Sequence, residues 1–92
     1  MSDPLPYKTT PVFDAETLPA AIRSEHSTKP GVWGVLRVLQ GSVDLVFHAP
    51  YAVHTVTPGN PAQINPEDIH HVEVGGPMQM QVEFYREPPL SD

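Results

Sequence analysis

The chain has 92 residues, a formal net charge of −6 and no cysteine. That length allows one small domain, 1–92, with a limited core, and the missing cysteine removes disulfides, thiolate ligands and a cysteine nucleophile. The five fixed cations, Lys8, Arg23, Lys29, Arg37 and Arg86, are scattered along the chain, so no basic stripe is offered to nucleic acid and an anionic membrane is repelled.

No apolar run reaches bilayer length, and MSDPLPYKTT lacks the basic and apolar regions of a signal peptide. A cytoplasmic protein is therefore expected, with small molecules, metal ions or other proteins as partners. The 12 prolines exceed the average usage of about 5%. Most fall between alternating apolar segments, where they read as punctuation rather than disorder.

Residues 1–6 and 87–92 are expected to be frayed tails. TTPVF predicts a short edge strand. DAETLP predicts a turn or a single helical turn, capped by Asp14. AAIRSEH is read as a strand with Ile22, Ser24 and His26 on one face. TKPG is a turn. VWGVLRVL, 32–39, is apolar on both faces and predicts a central strand covered on both sides; Leu36 and Val38 take one face, Trp33, Val35, Arg37 and Leu39 the other. QGS predicts a tight hairpin turn into VDLVFH. YAVHTV and AQI are weaker strands, and NPED turns the chain into IHHVEV. MQMQVEFYR has the cleanest period of two, with Met78, Met80, Val82 and Phe84 on one face. No sustained helical period or internal repeat occurs. Roughly seven or eight short strands between turns indicate an all-β sandwich or small antiparallel barrel.

Three stretches, TPVFDAETLPAAIRSEHSTKPGVWGVLRVLQG, INPEDIHHVE and VEFYR, resemble the TehB/YeaR-like domain family, the tellurite-resistance-related small cupins. The resemblance covers about Tyr7 to Arg86. It implies a cupin-type double-stranded β-helix (a jelly roll) and no settled activity. The family's name comes from proteins in which a similar domain precedes a methyltransferase acting on tellurite, whereas nothing in this chain resembles a nucleotide-binding βαβ unit. Cupins in general hold a metal on histidines from two motifs. Here His26 takes the first histidine position, Thr28 stands at the second, no acid occupies 32–34, and Gly41 matches the closing glycine. Pro66 and His70 fit the second motif, with Glu67 in place of its glycine. Two of four usual ligands survive. By the resemblance His70 points inward and His71 outward.

A divalent metal (Zn, Fe, Mn or Ni) is the cofactor to look for, and it needs about three protein ligands. His26 and His70 supply two, and Glu83 is the candidate third. Alternation puts Glu83 opposite Met80, Val82 and Phe84, and either face is compatible with the cavity. The bland alternative is that both histidines bond to Thr28 or to backbone. Thr28 and Trp33 are further candidate ligand contacts. His48, His54 and the His71–Glu73 pair read as exposed or hydrogen-bonded surface groups. No Ser-His-acid nucleophile and no phosphate-binding glycine loop can be assembled.

The expected function is a small cupin binding a small molecule or oxyanion in the barrel, through a metal on His26 and His70. Two alternatives stand beside it: a metal-dependent cupin enzyme, oxygenase-like or oxyanion-processing, and a stress-response or protein-interaction scaffold. The two-sided apolar strand and the small core also predict a homodimer.

Overall fold

The strands form where alternation predicts them, and their sheet partners explain the burial. The computed structural model describes residues 5–89. In chain order the elements are β1 (Lys8–Thr9), β2 (Phe13–Asp14), α1 (Ala20–Arg23), β3 (Trp33–Gln40), β4 (Val43–His48), β5 (Tyr51–Val56), β6 (Ala62–Ile64), β7 (His70–Glu73) and β8 (Gln79–Tyr85). The protein is all-β, with every pairing antiparallel. One sheet runs β1-β8-β3-β6, with β2 also on β8; the other runs β5-β4-β7. Of the expected frayed tails, residues 1–4 and 90–92 lie outside the described residues, and 5–6 and 87–89 carry no strand.

β3 is central, as its two apolar faces require: it pairs with β8 on one side and β6 on the other. Leu36 and Val38 join Met80 and Val82 of β8 in a core cluster that also takes Val43, Leu45 and Val72 from the second sheet. Residues of this size each gain roughly 1.5–3 kcal/mol on full burial. The expected homodimer rests on the other face of β3. There Val35 is fully buried within one copy, between Glu83 and Gln63 on the neighbouring strands, while Leu39 is 43% exposed.

Two local expectations are corrected. QGS is not a hairpin turn. β3 and β4 belong to different sheets, so residues 41–42 form a corner that carries the chain across the core. Gly41 makes the corner: its φ is +74°, and a Cβ there would lie 2.5 Å from the Pro77 carbonyl oxygen. An L side chain fits neither the angle nor the space. The chain changes sheet again between β5 and β6, between β6 and β7, and between β7 and β8. The true hairpin joins β4 to β5, with His48 opposite Tyr51.

AAIRSEH is not a strand either. Ala20–Arg23 forms one helical turn, which the paired alanines favour. The Ser24 hydroxyl reaches back to the carbonyls of Ala20 and Ala21, closing the turn, and Arg23 bonds the Ala15 carbonyl. The preceding turn forms as expected. Asp14 Oδ1 accepts from the amides of Glu16 and Thr17 and from the Thr17 hydroxyl. These donors, the Thr17 amide first, hold the Asp14 carboxyl below its usual range.

Among the described residues, no helix is long and apolar enough to cross a membrane.

Candidate functional site

The adjacent histidines of β7 face opposite ways because successive strand residues alternate. His70 is 2% exposed. It meets His26, which comes from the irregular segment after α1. Their backbones exchange two hydrogen bonds, His26 N to His70 O at 3.0 Å and His70 N to His26 O at 2.9 Å. Their rings lie 4.2 Å apart between centroids. The two imidazoles thus converge although 43 residues separate them.

Each ring is oriented by a backbone carbonyl. His70 Nδ1 lies 2.7 Å from the Asp68 oxygen, and His26 Nδ1 lies 3.2 Å from the Ser24 oxygen. A carbonyl only accepts, so in each contact Nδ1 is the donor, which leaves Nε2 of both rings directed away from these carbonyls. Burial pushes the His70 pKa below its ordinary value of 6.5; the Asp68 carbonyl opposes this, and the His26 charge adds to the lowering. His70 is therefore a buried neutral imidazole at pH 7.

Both histidines line a cleft of about 350 Å³. Its apolar walls come from Ile22, Val32, Val72, Val82 and Phe84. Thr28 is also at the cleft, with its hydroxyl donating to the Asn65 carbonyl at 3.3 Å and accepting from the Glu67 amide at 3.3 Å. Lys8, Lys29 and Tyr7 complete the rim, and the Arg86 guanidinium stacks 4.5 Å from the Tyr7 ring centroid. Among the described residues, no carboxylate lines the cleft.

The structure does not bring Glu83 or Trp33 to this cleft. Val82 and Phe84 point into it, so Glu83 between them points out. There its Oε1 accepts from Arg37 Nε at 2.7 Å and from the Tyr85 hydroxyl at 2.8 Å. That pairing keeps the Arg37 guanidinium charged, while burial raises the Tyr85 pKa. The candidate third ligand is thus already bound to a cation on the far face. Trp33 shares the parity of Val35 and Arg37 on β3, which also turns it away from the cleft. Among the described residues, no group of three or more His, Cys, Asp or Glu can hold a metal. Two imidazoles with no third donor do not fit a resident transition-metal ion.

The outer face of β7 holds a second histidine pair that the sequence does not suggest. His48 Nε2 and His71 Nδ1 lie 2.6 Å apart. Their other nitrogens face carboxylates: His48 Nδ1 is 3.3 Å from Glu25 Oε2, and His71 Nε2 is 2.9 Å from Glu73 Oε2. Cross-strand pairing of β4 with β7 brings the two rings together, since Val46 is opposite His71 and Phe47 opposite His70. Sequence reading also misses Lys8, Lys29 and Tyr7 as cleft residues; their separation along the chain hides the convergence.

Comparison with known proteins fixes the family. The model of the TehB-like domain matches residues 8–82. The chain belongs to the TehB-like domain family. This TehB-like chain is 35% identical over 72 residues to a probable S-adenosyl-L-methionine-dependent methyltransferase TehB of Haemophilus influenzae (strain 10810), covering 73% of this chain and 25% of the relative. The same figures hold for the protein so named in H. influenzae strain Rd. The TehB-like chain thus spans about a quarter of the length of these relatives.

The crystal structure of TehB from H. influenzae superposes with a TM-score of 0.80 at 29% identity, over 90% of this chain and 31% of that one. A crystal structure of an E. coli (strain K12) protein superposes with a TM-score of 0.84 at 26% identity, over 96% of this chain and 95% of that one. These findings overturn the functional expectation for the TehB-like chain. Its named relatives are probable S-adenosylmethionine-dependent methyltransferases, not metal cupins, so the metal-assisted binding cupin and the metal-dependent cupin enzyme do not stand.

Proposed function

We propose that this chain is an accessory β module of TehB-type, S-adenosylmethionine-dependent methyl transfer. It works beside a catalytic domain that residues 1–92 do not contain, joined to it or separate. The observation that carries this reading is the alignment with about a quarter of probable TehB methyltransferases, over nearly all of this fold.

Physical chemistry supports the division of labour. Dinucleotide-type sites in doubly wound folds lie at the ends of parallel strands, where a glycine-rich turn opens a helix. Among the described residues every strand pair is antiparallel and the helix is one turn long, which supports assigning the methyl donor to the other domain. The repeated passage of the chain between two antiparallel sheets supports the finer fold reading, a cupin-type double-stranded β-helix. The cleft around His26, Thr28 and His70 is then the working face of the module.

The test is methyl transfer to tellurite, the acceptor that the resemblance implies, by H. influenzae TehB lacking the region this chain matches. Residues 1–92 added in trans are expected to raise the rate, and isothermal titration of the isolated chain with S-adenosylmethionine is expected to show no binding. An unchanged rate at saturating chain sinks the proposal, and so does micromolar binding of the methyl donor.

A further inference from the structure

The chain carries a net charge of −6, yet its uncommitted cations gather in one place. Arg37 is neutralised by Glu83, and Arg23 bonds the Ala15 carbonyl. The other three surround the cleft: Lys8 and Lys29 on its rim, and Arg86 over Tyr7, which forms part of the wall. Among the described residues neither lysine makes an ion pair. In an acidic protein, such a concentration around an apolar groove selects a partner that is both anionic and apolar.

The three cations also come from separate elements: β1, the loop before β3, and the segment after β8. Cations spread around a mouth are matched by carboxylates spread along a chain. Beside the cleft, β1 is the terminal strand of its sheet, and a terminal strand offers open backbone groups to an extended segment.

We infer that the cleft docks an extended protein segment bearing carboxylates next to large apolar side chains, supplied by the catalytic domain that the module serves. The inference rests on the functional reading above. Apolar side chains enter between Val32, Val72 and Val82, while the carboxylates meet Lys8, Lys29 and Arg86. Thr28 and the two histidines form the polar floor.

The probe is the peptide acetyl-Leu-Asp-Phe-Asp-Leu-amide, titrated into 15N-labelled chain and followed by amide shifts. Shifts are expected at Thr28, Val32, Val72 and Val82. Affinity should fall about tenfold or more for the twin peptide with Asn for Asp, for the Lys8→Glu/Lys29→Glu double variant, and on raising the salt. Both lysines are exposed, so the double variant keeps the fold, which circular dichroism verifies.

Equal binding of the Asn twin overturns the inference, as do shifts confined to other faces. Hexanoate binding as tightly as the peptide also overturns it, by making the cleft a site for small organic acids. The two readings separate in the methyl-transfer assay. A chain that raises the rate but ignores the peptide defeats the docking inference alone. A chain that binds the peptide but leaves the rate untouched defeats the functional reading, and with it the assignment of the segment to the catalytic domain.

Discussion

Two histidine pairs stand back to back across β7, one residue apart in sequence. On the inner side His70 and His26 sit against apolar walls, each ring oriented by a carbonyl, with no carboxylate among the described residues lining their cleft. On the outer side His71 and His48 share a short contact between two carboxylates at the surface. Residue type is the same in all four. The differences in burial and partners set one pair against an apolar cleft and place the other between two carboxylates.

The largest expected effect separates the pairs by stability. His70→Ala removes a buried ring and its bond to Asp68, and is expected to cost about 2–3 kcal/mol, whereas His71→Ala costs about 0.5 kcal/mol at the surface. Urea unfolding measures both, and equal losses would break the contrast.

A smaller effect follows from protonation. His70 has a lower pKa folded than unfolded. Below 6.5 the unfolded chain therefore takes up the proton first, and the stability that His70 contributes, full above 6.5, is lost as pH falls toward its folded pKa. The urea midpoint should drop between neutral and mildly acidic pH, and His70→Gln should flatten that drop. A midpoint rising toward acid would contradict the burial argument.

The smallest effect sharpens the outer pair. Glu25 is exposed, so Glu25→Gln should change stability by less than about 0.5 kcal/mol. It should still move the ring 15N shifts of His48 while leaving those of His70 in place. Movement at His70 instead would mean that the two faces communicate.

How far these features are legible in the sequence depends on range. β8 declares itself through the alternation of Met78, Met80, Val82 and Phe84, and β3 through its two apolar faces, because strand parity is a local property. Parity also places Glu83 opposite Phe84. It does not say which side is the cleft, and the bond to Arg37, 46 residues away, is beyond local reading. The hairpin expected at QGS fails for a related reason. A glycine turn between two strand patterns has the same local chemistry whether the chain doubles back or changes sheet; the Pro77 carbonyl against Gly41 decides it. The helical turn at 20–23 was hidden by a pattern too short to set a period. His26 and His70 emerge from the family resemblance, whereas Lys8, Lys29, Arg86 and the His48–His71 pair come together only through sheet pairing.

The reciprocal backbone hydrogen bonds between His26 and His70 have one more consequence. Main-chain atoms, not imidazoles, hold these positions in register, so the two side chains can be exchanged without letting the strand and the facing loop drift apart. The pair is thus a socket into which other chemistry can be fitted. A relative carrying different residues at these two points would present a new working surface on an unchanged frame.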